Sequence, residues 1–176
     1  MANAHVAARA LALIAISLTA CHQTPPRHPG EEYLAAIDFE GNKAITSSSL
    51  RTGLALHRVQ SLGSAPDPYL VTVDGDRIKG RYLRAGYLEV DVHSRVERHG
   101  DAVTVFYKID EGPRATTKLA IAGLPANDPL LTEQKVRDTI PLKDGQPFSY
   151  EPYDKAKEPL LGLAEDAGYA HVKLDA

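Results

Sequence analysis

The residues of this chain that could do chemistry are scattered, and their spacing predicts neither a catalytic nor a metal site. Its histidines never take the spacing of an HExxH motif or of another set of zinc ligands. They lie at positions 5, 22, 28, 57, 93, 99 and 171. Ser47, Ser48 and Ser49 lack the glycines of a GxSxG turn, and their hydroxyls suit the capping of a helix. We therefore expect a protein that is not an enzyme and that needs no cofactor.

The acidic patterns lead to the same expectation. Asp74, Gly75 and Asp76 match part of a calcium-binding loop, but no glutamate follows at the distance that would complete it. Helix capping is the favoured role for these aspartates. Asp38 and Glu40 alternate with apolar residues, which predicts the solvated face of a strand rather than a pair of catalytic carboxylates.

The composition excludes several classes of protein. The chain has 176 residues, 43% of them hydrophobic and 24% charged, as in a globular protein. Its net charge of −3 provides no global positive field for nucleic acid phosphates, so we expect no nucleic acid partner. The single cysteine excludes an internal disulfide and a thiolate zinc site. No uncharged apolar run reaches the roughly 18 to 20 residues that a membrane-spanning helix needs.

The N-terminus has the layout of a secretory signal peptide over residues 1–20. Arg9 precedes a short apolar run at residues 10–18, and small residues follow. We therefore leave residues 1–20 out of the fold. Residues 21–32 contain three prolines and no apolar periodicity, which predicts an extended tether.

The end of this signal, Leu18-Thr19-Ala20-Cys21, resembles a bacterial lipobox. The resemblance implies cleavage before Cys21, acylation of its thiol and, with His22 next, sorting to the outer membrane. Several acyl chains would hold the protein stably, since each buried CH₂ contributes about 0.8 kcal/mol. The alternative is ordinary signal cleavage that leaves Cys21 as a spare thiol.

Self-similarity at a fixed offset is the strongest organisational signal in the chain. Residues 37–41 and 119–123 are short segments that end in glycine and lie 82 residues apart. Gly80 and Gly162 have the same offset, as do the Ala-Gly-Tyr tripeptides at residues 85–87 and 167–169. These matches in order predict two copies of one unit.

The first copy reads as strand, helix, helix, strand, strand. Ala35, Ile37 and Phe39 alternate with polar or small residues and predict the opening strand. Residues 46–49 offer caps to a first helix that runs through Leu50 and Leu54 and extends to Leu56. The remaining elements are a helix over residues 69–85, a strand from residue 88, a turn at residues 98–101 and a strand over residues 103–109. The predicted core consists of Phe39, Leu50, Ile78, Tyr82, Leu83, Val90, Val105 and Tyr107.

The second copy lacks room for its last strand. We expect a strand at residues 118–122 and helices at residues 132–139 and 150–167, with Pro159 kinking or splitting the second helix. A further strand can begin at residue 170, but only eight residues follow Gly168. A third strand has no sequence left to form it.

Several motifs in this order resemble polypeptide-transport-associated (POTRA) domains of the BamA/TamA family of outer-membrane proteins. The most specific piece is Glu-Gly-Pro after the third strand, and residues 144–148 (DGQPF) before a helix are a second match. The motif residues are Gly41, Asn42, Gly86, Tyr87, Glu111, Gly112, Pro113, Gly168 and Tyr169.

The resemblance implies an α+β fold of tandem POTRA units. Each complete unit would have a three-stranded mixed sheet with two helices on one face, and the second strand of the hairpin would be central. The first unit would span residues 33–115. The second would span residues 116–176 and would be truncated, without its last strand.

The resemblance also implies a way of binding. The outer strands of such a sheet have unpaired backbone groups, so an extended client can add as a further strand. The candidate edge is the first strand of the hairpin, made of Leu88, Glu89, Val90, Asp91, Val92, His93, Ser94 and Arg95. The alternative is a solvated edge whose charged residues protect it against aggregation.

We therefore expect a periplasmic, non-enzymatic module for the assembly and insertion of outer-membrane β-barrel proteins. Its partners would be unfolded outer-membrane proteins. One alternative is a lipid-anchored scaffold that docks other assembly subunits, and a less favoured one is an envelope hydrolase. Family members carry a C-terminal membrane β-barrel, whose repeated alternating segments are not found here, so we expect the front of a longer protein or of a broken gene. Its place would be the periplasmic face of the outer membrane.

Overall fold

The computed structural model describes residues 29–175. The first part, residues 33–110, contains three strands, two short helices and one long helix. The second part contains two further helices, at residues 133–139 and 150–166. The elements are β1 (Tyr33–Glu40), α1 (Ser47–Arg51), α2 (Ala55–Ser61), α3 (Pro68–Arg84), β2 (Asp91–His99), β3 (Ala102–Asp110), α4 (Glu133–Thr139) and α5 (Tyr150–Asp166). No helix within residues 29–175 is long and apolar enough to cross a membrane.

The three strands form one mixed sheet in the order β1-β3-β2. The central strand β3 runs parallel to β1 and antiparallel to β2, and Gly100 and Asp101 make the turn between β2 and β3. Val103, Val105 and Tyr107 of β3 are fully buried, since alternate side chains of a strand share one face. The mixed α+β fold and the central position of the second hairpin strand are confirmed.

The inward face of β1 agrees with the predicted one at Ile37 and Phe39 but not at Ala35. The pairing of β1 with β3 shifts between Leu34 and Ala36, so Ala35 is an extra residue in the strand. Such a bulge reverses which residues face inward on either side of it. Leu34 and Ile37 are therefore buried while Ala35 is exposed, and the prediction that Ala35 points inward is wrong.

The single helix predicted through Leu50 and Leu54 is two helices. Gly53 has a φ of 89° and separates α1 from α2. The break faces α3, where the carboxylate of Asp74 accepts from the backbone N–H groups of Ala55 (2.9 Å) and Leu56 (2.8 Å). Asp74 is fully buried and caps α2, which agrees with the capping role expected for it.

The core of residues 33–110 lies between the sheet and the helices. Of the eight predicted core residues, six are buried, and Phe39 and Leu83 are partly buried against them. The prediction missed six further members of the same cluster. These are Leu34, Ile37, Leu54, Leu56, Val71 and Ile109.

The second part of the chain has a core of its own but no strand among the described residues. Val136, Ile140, Ala156 and Ala164 are central to a cluster contributed by α4, α5 and the loops beside them. The strands predicted at residues 118–122 and from residue 170 are not formed. Residues 115–117 instead pair with residues 145–148, through bonds such as Phe148 N–H to the Ala115 carbonyl (2.8 Å).

Helices α3 and α5 correspond at the offset of 82 residues found in the sequence. Both end in the same way: Tyr87 N–H donates to the Tyr82 carbonyl, and Tyr169 N–H donates to the Ala164 carbonyl, each at 3.0 Å. Pro159 lies within α5, which remains one helix, so the split that was one of the two predicted outcomes does not occur, and the kink stays a prediction. The assignment of residues 116–176 to a second, truncated POTRA unit stays a prediction.

A tight joint connects the two parts. Ala115 N–H donates to the Gly86 carbonyl (2.8 Å), and the Arg114 guanidinium donates to the carbonyls of Ala85 (3.0 Å) and Phe148 (3.3 Å). Gly86 has a φ of 94°, and a Cβ there would overlap the Phe148 carbonyl oxygen. The joint therefore requires glycine at this position.

We expect Asp74→Ala to lower the free energy of unfolding by about 3 kcal/mol, because it removes charge-assisted hydrogen bonds to the N–H groups of Ala55 and Leu56 and the ion pair with Arg77. The measurement is urea unfolding of the full chain. Asp76→Ala is the matched control, because this substitution removes the same charge from the same helix at an exposed position. Equal effects of the two substitutions would contradict the capping role.

We expect amide hydrogen exchange to be slow in β3 and fast over residues 120–123, whose backbone makes no hydrogen bond within residues 29–175. Residues 33–115 contain a complete sheet, whereas the described residues from 116 onward have no strand ladder beside the helices α4 and α5, so we expect the second part to be marginal alone. The check is exchange followed by mass spectrometry on the full chain. Equal, strong protection of both parts would show the expectation to be wrong.

Candidate functional site at an open strand edge

The outer edge of β1 is closed by side chains and a loop. The Arg51 guanidinium donates to the Ile37 carbonyl, and the Gln60 amide donates to the Ala35 carbonyl, both at 2.7 Å. Leu34 N–H donates to the Ser64 carbonyl at 2.8 Å. A further strand would have to displace all three bonds to pair here, which disfavours β1 as a docking edge.

The outer edge of β2 is open. His99 and Ala102 flank a two-residue turn, so they form a hydrogen-bonded pair, and such pairs alternate along an antiparallel ladder. Val92, Ser94, Val96 and Arg98 therefore direct their backbone groups away from β3. Val92 N–H agrees with this assignment, because it donates to the neighbouring Asp91 carboxylate (3.0 Å). Within residues 29–175, no backbone hydrogen bond joins this edge to an element other than β3.

A groove runs beside the open edge. It has a volume of about 240 Å³ and lies between the start of α3 and the second half of β2. Val71 and Thr72 line it from α3, and Ser94, Val96 and Arg98 line it from β2. A strand added to β2 would place alternate side chains into this groove, as strand-adding peptides do in other domains.

Asp91, His93, Arg95 and Glu97 lie on the face of β2 opposite to Val92 and Val96, whereas Arg98 lines the groove and pairs with Glu32 (3.0 Å). Asp91 contacts His93 (3.0 Å) and, across to α3, Lys79 (3.7 Å). The Arg95 guanidinium lies 4.4 Å from the centre of the Phe106 ring and pairs with Glu97. These groups are engaged with their neighbours beside the edge, so the edge itself presents mainly backbone.

The structure divides the candidate edge of residues 88–95 into two parts. Leu88, Glu89 and Val90 precede the strand, because Val90 N–H closes a turn onto the Tyr87 carbonyl (3.4 Å) before the chain reaches the sheet. Val90 is buried in the core and Leu88 is half exposed, so the prediction that these three residues belong to the strand is wrong. Residues 91–95 lie in β2.

Sequence reasoning missed the half of the edge beside the groove. Val96 and Arg98 continue the strand, but the predicted turn at residues 98–101 ended it early. The sequence contained a signal for the longer strand. Val92 and Val96 keep the same two-residue alternation, and the first glycine after the strand begins is Gly100. Nothing in the sequence pattern indicated that Val71 and Thr72 would lie opposite.

The family motif at the end of the sheet is structural. The Glu111 carboxylate accepts from Ala44 N–H (2.7 Å) and from the Tyr82 hydroxyl (2.9 Å). Burial and this carboxylate together raise the pKa of Tyr82 well above its usual value. Glu111 thus ties α3 and the loop after β1 to the end of β3.

The other motif residues lie in turns and at helix ends, and they also have structural roles. A Cβ at Gly41 would overlap the Ile109 carbonyl, and the Asn42 amide donates to the Ile45 carbonyl (2.9 Å). Gly112 has a φ of 62° beside Glu89, and Pro113 follows it as an exposed residue. Gly86 and Tyr87 end α3, as Gly168 and Tyr169 end α5.

Two sequence expectations concern residues elsewhere. Cys21, the expected lipidation site, lies outside the described residues. Within residues 29–175, no group of three or more His, Cys, Asp or Glu side chains is arranged to hold a metal ion.

The family model of the POTRA domain, described as a surface antigen variable number repeat, matches residues 32–112. No curated protein matches the chain.

Three solved structures are similar to the chain. POTRA3-5 of BamA from Haemophilus influenzae is 17% identical with a TM-score of 0.46, over 73% of this chain and 49% of that one. BamA from Haemophilus ducreyi lacking POTRA domains 1-3 is 14% identical with a TM-score of 0.40, over 74% and 23%. The N-terminal domain of Omp85 from the thermophilic cyanobacterium Thermosynechococcus elongatus is 14% identical with a TM-score of 0.37, over 76% and 55%.

This chain thus spans 23% to 55% of the length of those three chains. The family match covers all three strands and the helices α1 to α3. Residues 32–112 of this chain are a POTRA domain.

Proposed function

We propose that the chain is a non-enzymatic module for outer-membrane protein assembly that binds extended segments of its clients by strand addition to β2. The observation that carries the proposal is the difference between the two edges of the sheet. Three backbone groups of β1 are occupied by Arg51, Gln60 and Ser64, while β2 is open beside a groove. The POTRA match supports the general role, since these domains are named for their association with polypeptide transport.

Strand addition suits clients of varied sequence. The backbone groups of Ser94, Val96 and Arg98 are the same whatever the side chains, so their bonds to a client do not select its sequence. The groove beside them is about 240 Å³ in volume and has both apolar and polar walls, which sets only a loose limit on side-chain size. We therefore expect weak binding of many strand-forming segments.

The proposed surroundings follow from the N-terminus. Residues 1–20 would direct secretion, Cys21 would carry the lipid, and residues 21–32 would tether the POTRA domain to the periplasmic face of the outer membrane. Residues 33–115 would form the first unit, and residues 116–176 a second, truncated unit.

We expect Ser94→Pro to weaken the binding of strand-forming peptides by about tenfold or more, because it removes an outward N–H and places the proline ring on the docking edge. The measurement is fluorescence anisotropy with several peptides of unrelated sequence and the full chain. Ser94→Ala is the matched control, because it keeps the N–H and removes only the exposed hydroxyl.

Unchanged peptide binding by Ser94→Pro, with its unfolding midpoint also unchanged, would remove β2 as the docking edge. No binding of any peptide by the unaltered chain would favour the scaffold that docks other assembly subunits.

We expect Cys21→Ser to release the protein from membranes, because the thiol that receives the acyl chains is lost. The measurement is fractionation of cells that make the full chain, with an immunoblot against residues 33–115. Cys21 is the chain's one cysteine, so the substitution affects no other thiol. A membrane-bound product with serine at this position would contradict lipid anchoring.

A further inference from the structure

A large cleft separates the two parts of the chain. It has a volume of about 1120 Å³ and lies between the end of α3 and the first turns of α5. Its apolar lining includes Ile45, Leu83 and the ring of Tyr150, which is 41% exposed. The joint at Gly86 and Arg114 holds the two walls together at one end.

Three arginines line this cleft without a carboxylate partner among the described residues. Arg81 donates to the carbonyls of Ser49 and Thr52, and Arg114 donates to those of Ala85 and Phe148. Bonds to neutral carbonyls fix both guanidinium groups in place but leave their charges uncompensated. Arg84 is exposed and makes no hydrogen bond or ion pair within residues 29–175.

The acidic groups of the cleft are already paired on the other wall. The Glu151 carboxylate pairs with Lys155 (2.6 Å), which lowers the pKa of Glu151. Asp154 lies 3.4 Å from Lys157. The cleft is therefore a positive site on a chain whose net charge is −3.

We propose that this cleft binds an acidic segment of a partner protein. The planar fork of an arginine binds a carboxylate through two parallel hydrogen bonds, and the guanidinium N–H donors of Arg84 are free to make them. The apolar lining would receive the side chains between the carboxylates. Arginine and tyrosine are also among the residue types that contribute most to binding at interfaces.

The size and the sequence decide between possible occupants. A volume of 1120 Å³ exceeds the roughly 300 to 1,000 Å³ typical of small-molecule sites, which favours a polypeptide segment. Residues 1–28 of this chain contain no Asp or Glu, so they do not have the charge that fits. The cleft shares no residue with the groove at β2, so both surfaces can be occupied at once.

The test uses the full chain in a zwitterionic detergent and three matched fluorescent peptides. All three have the same leucine and alanine positions, and the intervening residues are Asp and Glu, Asn and Gln, or Lys and Arg. We expect the acidic peptide to bind best, and Arg84→Glu to weaken its binding by about tenfold or more. Arg58→Glu is the matched control, because Arg58 is exposed on α2 and does not line the cleft.

Each other outcome overturns the proposal. Equal binding of the acidic and amide peptides removes the selectivity for carboxylates, and equal losses in the two variants remove the cleft as the site. If Arg84→Glu instead reduces only the preference of the chain for phosphatidylglycerol over phosphatidylcholine vesicles, the ligand is a lipid headgroup. Circular dichroism of both variants shows that a loss of binding is not a loss of fold.

Discussion

The POTRA domain of this chain depends on two charged side chains of α3 that hold the break between α1 and α2. Asp74 and Arg81 lie seven residues apart, about two helical turns, so they share one face of α3. The Asp74 carboxylate binds the N–H groups that begin α2, and the Arg81 guanidinium binds the carbonyls that end α1. With seven and five residues, these helices are far below the roughly 12 to 15 residues at which a helix is marginally stable alone.

The position of α3 in turn determines the core and the docking edge. The Tyr107 hydroxyl of β3 donates to the Val71 carbonyl of α3 (2.9 Å), and Tyr82 of α3 donates to Glu111 beyond β3. Burial raises the pKa of Tyr107, and the charge of Asp74 adds to this effect, so its hydroxyl stays a donor at neutral pH. The same bond brings Val71 to the side of β2 where the groove lies.

The sequence predicted those features that depend on near neighbours in the chain. Alternation in β3 and the capped end of α3 follow patterns within about ten residues, whereas the central place of β3 in the sheet was implied by the family resemblance. The helix break was missed because its cap, Asp74, lies 19 residues beyond Ala55. The bulge at Ala35 was missed because it depends on the register with β3. The closed edge of β1 depends on Arg51 and Gln60, whose side chains reach back from helices to carbonyls that no pattern marks.

The second part of the chain shows that an alternation of apolar and exposed residues does not by itself produce a strand. Leu119 and Ile121 are partly buried against the second core, while Ala120 and Ala122 are exposed, as the strand pattern requires. Yet the backbone groups of residues 120–123 make no hydrogen bond within residues 29–175. Buried, such groups would each cost about 1 to 3 kcal/mol, so they remain at the surface. The apolar pattern determines which face of a segment turns inward, but a segment becomes a strand only when a neighbouring strand pairs with its backbone. For β1 that neighbour is β3, and residues 118–122 have no such neighbour among the described residues.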